Sequence, residues 1–394
     1  MIRHLFKMVW NRRRTNALII LEILFSFLVL FGVTTLGVYY LNLYHQPLGF
    51  KYQNVWNLGV DVKINRNDEW TPEMVETARQ VFLALQDFSE IEGFAGIQNR
   101  IFGSSTSTTQ VGENQLSMQN EVTDRFKDVM GLQLTHGRWF DRSDDGVNYD
   151  PVVINERLRQ AYFGSEDPLG KNIAHPKRER HRRVIGIVTD FRQHGELDSL
   201  SNYFFQRTRI GHPKDRPPQN ILIKLRPGTT ASFEEKLVTR LQAVARNWSF
   251  EVQPLSVSRE SKLRWGLAPL IAVGIVATFL LIMVALGLVG VLWQNVTQRT
   301  KELGLRRALG GTAGSVQLQV LGELFVTTTA GIALGSLLIV QMPLLGVISN
   351  IGGAVYIYSF VISLLVMYAI TTLCGLYPSS LATKVQPATA LHYE

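Results

Sequence analysis

The feature that most constrains this chain is a set of four apolar blocks, each long enough to cross a lipid bilayer. The blocks run from Ala17 to Leu41, from Pro269 to Trp293, from Val320 to Gln341 and from Val355 to Leu376. A transmembrane helix needs about 20 apolar residues. Because backbone groups in lipid must be satisfied within the segment, and because these blocks lack strand-like alternation, all four are predicted to be helices.

Much of the positive charge of the chain flanks these blocks. The basic residues are Arg3, Lys7, Arg12, Arg13 and Arg14 before the first block, and Arg299, Lys301, Arg306 and Arg307 between the second and the third. The loop 342–354 carries no charge. Positively charged loops stay in the cytoplasm, so both termini and the loop 294–317 are predicted to be cytoplasmic. The formal net charge of +8 is explained by this orientation rather than by nucleic-acid binding.

The predicted organisation alternates membrane and aqueous segments. It comprises a cytoplasmic amphipathic helix at 1–16, helix one at 17–41, an extracytoplasmic domain at 42–264, a stalk end with helix two at 265–293, a cytoplasmic coupling loop at 294–317, helix three at 318–341, an external loop at 342–354, helix four at 355–377 and a cytoplasmic tail at 378–394. The fold class is an α-helical membrane protein with four transmembrane helices and a large α+β extracytoplasmic domain between helices one and two.

The N-terminal segment allows other interpretations. A cleaved signal peptide is disfavoured because the apolar run is too long for one and residues 37–42 lack a small-residue cleavage site. Residues 1–16 fit an amphipathic helix on the inner membrane face, since Trp10 suits an interface. A plain charged flank is the alternative.

The extracytoplasmic region contains two strand, helix, strand patterns that bracket an insert at about 115–215. The first comprises Val55–Val62, a helix from Thr71 to Phe88 with Thr71 as cap and Pro72 at its first position, and Ile91–Ile97. The second comprises 221–225, 230–247 and 250–253. These two βαβ-like units are predicted to frame an inserted subdomain.

The insert is expected to hold a helix near 123–130, a strand and helix in 151–163 and a strand at 183–189. The Ser/Thr-rich segment 103–112 and the Pro-containing segment 207–218 are predicted to be loops. Residues 256–265 lead into helix two without a strong breaker, which predicts a stalk helix continuous with that span.

Signals for catalysis and cofactor binding are weak. Residues 164–172 superficially match a phosphate-binding loop, but they have one residue too many between the glycines and Asn172 in place of Ser or Thr. The eight His lack metal-ligand spacing, and His194–Glu196 is expected to be a solvated loop. The basic run 177–183 fits a solvated hairpin tip better than a lipid-binding patch. We therefore expect no catalytic residue, no metal and no cofactor in this chain.

Two acidic residues fall inside predicted spans, Glu22 in the first and Glu323 in the third. Intramembrane carboxylates are costly and usually face a partner or a cavity. Both are expected to bond to neighbouring helices or to reach the interface, and proton coupling is disfavoured for either. Close helix packing, either across a dimer or inside one subunit, is expected at Gly274, Ala277, Gly287 and Gly290.

Three segments carry a resemblance to a known family. The sequence RTKELGLRRALG, from Arg299 to Gly310, closely resembles the R-T-x-E-I-G-x-R-R-A-x-G signature of the MacB/FtsX-like ABC permeases. The ending from Tyr377 to Leu391 is similar to that family's Y-P-A-x-x-A pattern and its continuation, with Ser379 in place of Ala. Segments 153–155 with 170–171, and 186–191, resemble core patterns of the family's external domain.

The resemblance implies how the chain is used. In this family the coupling loop docks on a cytoplasmic ABC ATPase, which binds ATP and Mg²⁺. The loop residues that match the signature are Arg299, Lys301, Glu302, Gly304, Arg306 and Arg307. An alternative is that these charges only fix topology, although that leaves Glu302 and the glycines unexplained. The family also implies a bacterial inner-membrane location and a second permease chain, identical or related.

Two functions remain open from the sequence. The first is ATP-driven export of an external-side substrate, such as a peptide, an antibiotic or a lipoprotein, through a periplasmic adaptor and an outer-membrane duct. The second is a non-transporting subunit that transmits movement to a periplasmic or cell-wall partner, or senses a ligand. Membrane lipids are the remaining expected partner, and no nucleic acid is expected.

Overall fold

The structure is a computed structural model that describes residues 13–62, 70–112, 115–173, 181–212, 215–298, 312–344 and 351–383. Internal contacts divide the chain into two compact units. The α/β unit comprises Leu43–Gly266, and the helical unit comprises the residues before and after it. Each unit is described by itself below.

The described residues form eight α-helices. They are α1 (Arg13–Tyr44), α2 (Pro72–Ala84), α3 (Phe126–Met130), α4 (Glu156–Phe163), α5 (Phe233–Val244), α6 (Leu255–Gln298), α7 (Ala313–Leu344) and α8 (Gly353–Thr383). Short 3₁₀ turns lie at Leu85–Asp87 and Arg142–Asp144. Four of the helices contain stretches long and apolar enough to cross a membrane, at Ala17–Tyr44, Leu255–Gln294, Gln317–Gln341 and Gly353–Leu376. The predicted fold class of four apolar helices with an α/β domain after the first is confirmed.

Eleven strands form one mixed sheet within the described part of the α/β unit. They are β1 (Val55–Asp61), β2 (Ile91–Ile97), β3 (Ser107–Val111), β4 (Gln115–Val122), β5 (Leu134–Gly137), β6 (Asp150–Asn155), β7 (Asn172–Ile173), β8 (Arg182–Val188), β9 (Tyr203–Arg207), β10 (Asn220–Leu225) and β11 (Ser249–Pro254). The strand order is β11-β1-β10-β2-β4-β9-β6-β8-β5, with β3 paired to β4 and β7 paired to β8.

The two strand, helix, strand patterns interleave in this sheet. Strand β10 lies between β1 and β2, and β1 lies between β10 and β11, with every neighbour antiparallel. Each pattern is therefore a split βαβ unit, as in ferredoxin-like folds. The segment between β2 and β10 extends the same sheet, because Ile97 at the end of β2 pairs with Val122 at the end of β4.

Helices α2 and α5 bury their apolar faces on this four-stranded part of the sheet. Val81 of α2 and Leu237 of α5 share a core with Leu58 and Ile223 of the strands. Helix α2 begins as the sequence predicts, because the Thr71 hydroxyl accepts a hydrogen bond from the Met74 amide at 3.3 Å and Pro72 occupies the first helical position. A capping hydroxyl satisfies an amide that the helix itself leaves free.

Some predictions about the insert and the segment that precedes it were wrong. Residues 107–111, expected to be a loop, form β3, which pairs in a hairpin with β4 from Ser107↔Gln119 to Val111↔Gln115. The β-branched Thr108 and Thr109 suit a strand, and Val111 is fully buried. Strand β9 was not predicted. The helix expected near 123–130 begins only at Phe126 and ends where Gly131 takes a left-handed conformation with φ of 62°.

The basic run 177–183 also differs in part from the expected solvated hairpin tip. Strands β7 and β8 pair antiparallel, and residues 174–180 between them lie outside the described residues. Arg182, however, is buried rather than solvated. Its guanidinium lies 4.8 Å from the centre of the Phe204 ring and donates to Gln119 Oε1 at 3.2 Å.

The helical unit packs by close approach at glycines. A side chain at Gly331 of α7 would come within 2.7 Å of Ile23 Cγ2 on α1, and one at Gly335 would come within 2.8 Å of Phe27 Cδ1. This Gly-x-x-x-Gly pair was missed in the sequence, and it lets two helices approach closely. Close packing was also expected at Gly274 and Gly290 of α6, but an added Cβ at either position would have no atom of another element within 4 Å.

Candidate functional site

The predicted ATPase-coupling residues cannot be placed. Arg299, Lys301, Glu302, Gly304, Arg306 and Arg307 all lie outside the described residues. Residues 1–12 of the predicted amphipathic helix 1–16 and residues 384–394 of the predicted tail 378–394 lie outside them as well, whereas residues 13–16 belong to α1 and residues 378–383 to α8. The roles of the residues outside the described part therefore stay predictions.

The two intramembrane acids lie in different surroundings. The half-buried Glu22 of α1 lies against α6 at Gly287, where an added Cβ would be 2.7 Å and 2.8 Å from the two carboxylate oxygens. Glu323 of α7 accepts a long hydrogen bond of 3.4 Å from Gln319, one turn earlier on the same helix. The absence of a side chain at Gly287 thus makes room for the Glu22 carboxylate on a neighbouring helix.

A more extensive polar site lies in the α/β unit, on the segment that follows β8. We call Phe191–Asp198 the strap. Arg192 in the strap is only 2% exposed, and its guanidinium donates to the carbonyl of Leu43 at 2.8 Å and to that of Gln46 at 3.3 Å. Leu43 is in the last turn of α1, whose carbonyls lack partners within the helix. A cation at this position also interacts favourably with the helix dipole.

Arg192 also fixes the conformation of the strap itself. Its other terminal nitrogen donates to the carbonyls of Glu196 and Asp198, and its backbone amide donates to the Leu48 carbonyl at 3.1 Å. One buried side chain therefore joins the end of α1, the chain that follows it and the far end of the strap. Removing that side chain would take a charged donor from four buried or half-buried carbonyls.

The strap holds the first turns of α6 by an ion pair. The Arg259 guanidinium donates to the carboxylate of Glu196, which is 5% exposed. The same guanidinium lies 5.0 Å from the centre of the Tyr52 ring. Two turns further along α6, an added Cβ at Gly266 would be 2.8 Å from Leu197 Cδ1. Residues 259 and 266 lie on one face of the helix, so the strap runs along that face.

A buried polar network extends from the strap into the sheet. The side-chain oxygen Oε1 of Gln193 accepts hydrogen bonds from the Tyr203 hydroxyl at 2.6 Å and from Asn120 Nδ2 at 3.2 Å. Asn120 in turn exchanges two 2.9 Å bonds with the backbone of Asn99. Burial raises the pKa of Tyr203, against a smaller lowering by the Asn120 side chain, so the phenol stays protonated and remains a donor. The network connects the strap to β4 and β9.

A second link joins the loop after β2 to the start of α6. Arg100 donates to Gln253 Oε1, which also accepts a hydrogen bond from Ser258 Oγ at 3.0 Å. The Phe102 amide donates to the Gln193 carbonyl at 2.9 Å, so this loop also contacts the strap. Hydrogen bonds that are connected in this way strengthen one another inside a low-dielectric interior.

The expectation of a solvated loop at His194–Glu196 was wrong. Glu196 is buried in its ion pair, and the His194 ring bonds to the Gly103 carbonyl at 2.8 Å and to Thr106 Oγ1 at 2.9 Å. The available signal was the position of Arg192 and Glu196, four residues apart directly after the buried strand β8. Nothing local indicated that their partners lie on α1 and α6.

The site is a junction of buried hydrogen bonds and an ion pair that joins two helix ends to the sheet. Its charged groups are held by backbone carbonyls or by one another, and its polar side chains are bonded in a chain from helix to sheet. Within the described ranges, no group of three His, Cys, Asp or Glu residues is arranged to hold a metal ion.

Comparison with known proteins identifies the family. The C-terminal domain of FtsX-like permeases matches residues 274–387, and the MacB-like periplasmic core domain matches residues 17–240. A macrolide export ATP-binding/permease protein MacB of Neisseria meningitidis is 28% identical over 53% of this chain and 33% of its own length. The uncharacterized ABC transporter permease YvrN of Bacillus subtilis is 25% identical over 69% of each chain.

Among solved structures, the periplasmic region of MacB from Actinobacillus actinomycetemcomitans aligns with a TM-score of 0.38 and 20% identity, over 56% of this chain and 97% of that region. The chain spans about a third of the length of the first MacB relatives that it matches. The periplasmic core match alone covers more than half of the chain. The chain therefore belongs to the MacB/FtsX-like family of ABC transporter permeases and is a multi-pass protein of the inner membrane.

Proposed function

We propose that this chain is the permease subunit of an ABC-type transporter in which a separate cytoplasmic ATPase moves the extracytoplasmic α/β unit through α6. The single observation that carries this proposal is the continuity of α6 from Leu255 to Gln298. The first turns of this helix bond to the strap, and the signature-bearing coupling loop follows its last residue.

The length and composition of α6 suit this role. Its 44 residues span about 66 Å at ~1.5 Å per residue. Charged residues are confined to the first turns, up to Arg264, and none occurs from 265 to 298. Pro269 removes one backbone hydrogen bond close to the change from charged to apolar sequence, which favours a bend there.

The strap connects α6 to the end of α1 and to the sheet. A shift of α6 relative to α1 would pull on the strap at both ends, because Arg259 of α6 bonds to Glu196 in the strap and Arg192 of the strap bonds to the last turn of α1. The Gln193 network then gives the shift a bonded route into β4 and β9. Packed and bonded junctions of this kind change between discrete arrangements rather than deforming continuously.

On the cytoplasmic side, we propose that Arg299, Lys301, Glu302, Arg306 and Arg307 contact the ATPase, with Gly304 allowing close approach. Mixed charges fix the orientation of a polar contact. In this arrangement both termini are cytoplasmic, and ATP and Mg²⁺ are bound by the partner. A second permease chain, identical or related, completes the complex.

The proposed output is export of a substrate taken up on the external side, such as a peptide, an antibiotic or a lipoprotein, through an adaptor and an outer-membrane duct. The relatives named as macrolide exporters support this direction. A second candidate is transmission of movement to a periplasmic or cell-wall partner, which is favoured by the bonded route from α6 into the sheet. Purification of the intact complex in mild detergent separates the two, since a duct or an adaptor favours export and a hydrolase favours transmission.

The coupling contact is tested by Glu302→Ala and Arg306→Ala in a reconstituted complex with the ATPase. We expect both substitutions to lower the stimulation of ATP hydrolysis severalfold while the thermal unfolding of the α/β unit stays unchanged. Arg264→Ala is the matched control, because this exposed arginine pairs only with Glu260 in its own helix among the described residues. Unchanged stimulation of ATP hydrolysis in both variants would mean that the charges of the loop only fix the membrane topology.

A further inference from the structure

The loop between β2 and β3 contains a strained residue that the proposed function does not use. Among the described residues other than glycine, only Asn54 and Phe102 have a positive φ, of 57° and 59°. Asparagine adopts this left-handed conformation readily, whereas a bulky aromatic residue does so at an energetic cost. Residues of this kind persist only where their surroundings impose the conformation, and they are concentrated at functional and switching sites.

Phe102 is the third residue of a tight turn. The turn is closed by a 3.2 Å hydrogen bond from the Gly103 amide to the Arg100 carbonyl. A positive φ at the third position of a turn is normally supplied by glycine. Here the glycine follows one residue later, and Gly103 does not itself have a positive φ. The sequence therefore offers a second register, in which Gly103 is left-handed instead of Phe102, at little cost to the backbone.

The strap holds the turn in the strained register. The Phe102 amide donates to the Gln193 carbonyl at 2.9 Å, and Gln193 Nε2 donates to two further carbonyls of the loop, at 3.4 Å and 3.3 Å. The next residue of the strap, His194, bonds to the loop at two more points. The backbone of the loop is therefore positioned by two adjacent residues of the strap.

Burial of the Phe102 ring offsets the cost of the strained backbone. The ring is buried, and its centre lies 5.7 Å from that of Phe50 and 6.2 Å from that of Tyr52. The strap also contacts this ring, since an added Cβ at Gly195 would be 3.3 Å from Phe102 Cδ1. Both the apolar contact and the backbone bonds would weaken together if the strap moved away.

The chain on either side of the turn permits a local rearrangement. At one end, the Asn99 amide donates to Asn120 Oδ1 at 2.9 Å, and at the other end Ser107 pairs with Gln119 of β4. Between these fixed points, residues 104–106 are exposed to water. A change at positions 102 and 103 can therefore be absorbed by exposed residues without unpairing the sheet.

From the strained residue, the adjacent glycine and the bonds to the strap, we propose that residues 99–106 form a two-state loop. With the strap in place, Phe102 is left-handed and its ring is buried. When α6 moves the strap, Gly103 takes over the left-handed conformation and the Phe102 ring leaves its contacts with Phe50 and Tyr52. The inference rests on the proposed function, which supplies the movement of α6. It gives that movement two discrete arrangements of the loop that leads into β3.

The strain is tested by comparing two substitutions at position 102. Alanine is normally the more stabilising of alanine and glycine, but a left-handed backbone reverses this order. We expect Phe102→Gly to have a Tm about 2–4 °C above that of Phe102→Ala, measured on the full chain in lipid nanodiscs. Ser104 lies in the same loop without a positive φ, so Ser104→Gly should melt at or below Ser104→Ala. A Tm of Phe102→Ala at or above that of Phe102→Gly would overturn the proposal.

The role of the glycine is tested by a pair of substitutions at position 103. Alanine and asparagine both add a Cβ, which would lie 3.0 Å from the Arg100 carbonyl oxygen, so both disturb the strained register in the same way. Only asparagine tolerates the left-handed conformation. We expect Gly103→Asn to populate the second state severalfold more than Gly103→Ala does. Equal populations in the two variants would contradict the change of register.

The change of state is followed by fluorine NMR of the complex with the ATPase in nanodiscs, with 4-fluorophenylalanine in place of Phe102. We expect trapping with ATP and vanadate to replace the resonance of the buried ring by a second resonance. The same label in place of Phe82, in the separate core under α2, is the matched control and should keep its resonance. A change of equal size at both positions would contradict a local switch.

An unchanged resonance at position 102 on trapping would overturn the two-state loop. Spin labels at position 116 of the two permease chains then show whether the proposed function fails as well. If the distance between these labels still changes on trapping, the proposed function survives and the two-state loop alone is wrong. If that distance is also unchanged, both are wrong.

Discussion

The two units of the chain hold their helices by opposite physical means. In the helical unit, α1 packs against α7 where Gly331 and Gly335 leave room for Ile23 and Phe27, and hydroxyl bonds such as Thr34 to Ser363 at 2.7 Å add to that packing. In the α/β unit, the end of α1 and the start of α6 are held by buried charges on the strap. The comparison teaches that close packing at glycines fixes the helices in the helical unit, whereas charge-assisted bonds between buried groups fix the helix ends in the α/β unit.

The largest expected effect is at the strap. Arg192→Met removes the charged donor from the carbonyls of Leu43, Gln46, Glu196 and Asp198. We expect the free energy of unfolding of the α/β unit to fall by about 3 kcal/mol or more, since each charged bond contributes about 1.5–3 kcal/mol. For a unit of this size that lowers the Tm by roughly 6–12 °C in a thermal melt of the full chain.

The control for this variant is Arg264→Met on α6. Arg264 is 76% exposed on its side chain and pairs with Glu260 at 2.6 Å, one turn earlier. An exposed pair contributes about 0–1 kcal/mol, so the Tm should change little. Equal losses in the two variants would mean that burial and the strap contacts do not distinguish these arginines.

The next effect tests shape in the helical unit. Gly331→Ala places a methyl group 2.7 Å from Ile23 Cγ2 and 3.1 Å from the Ile20 carbonyl oxygen. Overpacking of this kind costs about 1–3 kcal/mol, which detergent-titration unfolding would detect. Gly274→Ala is the matched control, because no atom lies within 4 Å of its added methyl group. A loss in Gly274→Ala as large as that in Gly331→Ala would show that the close approach is not what matters.

The sequence revealed most of the architecture and little of this junction. Four spans, the Thr71 cap and the β1, β2 and β10 strands follow from local patterns of hydrophobicity and capping. The partners of Arg192 do not, because Leu43 lies 149 residues away along the chain. A buried arginine looks like any surface arginine until the fold brings carbonyls to it.

The same reason explains the missed features in the sheet and the bundle. Strand β3 lies in a Ser/Thr-rich segment that is typical of a loop, and its pairing with β4 is a long-range contact that the local pattern does not show. The spacing of Gly331 and Gly335 is visible in the sequence, but the sequence does not show which side chains of α1 pack against these glycines. For Glu22, the sequence indicated a neighbouring helix without identifying Gly287 as the contact.

The smallest expected effects come from replacing one threonine by alanine in each unit. Thr71→Ala removes the cap of α2, and caps contribute about 1 kcal/mol. Thr34→Ala removes the interhelical bond to Ser363, and such bonds average about 0.6 kcal/mol in lipid. Denaturation of each variant should give the larger loss for Thr71. A larger loss for Thr34→Ala would contradict the conclusion that polar bonds stabilise the α/β unit more than the helical unit.

The central claim, that the strap transmits movement from α6 to the α/β unit, is tested most directly by replacing its ion pair with a covalent link. Glu196→Gln with Arg259→Met removes the pair without leaving a lone buried charge. Leu197→Cys with Gly266→Cys can then form a disulfide, because the Leu197 Cβ lies 3.8 Å from the Cβ position at residue 266. Cys374→Ser removes the native thiol.

A spin label is attached at position 116 through an unnatural amino acid, in a complex of two permease chains with the ATPase. The measurement is the distance between the two labels before and after trapping with ATP and vanadate. Leu116 is 72% exposed, so a label there is tolerated. The account predicts that the ATP-dependent distance change is lost in the Glu196→Gln, Arg259→Met chain and returns when the disulfide is oxidised. An unchanged distance change without the ion pair, or no recovery with the disulfide formed, would contradict it.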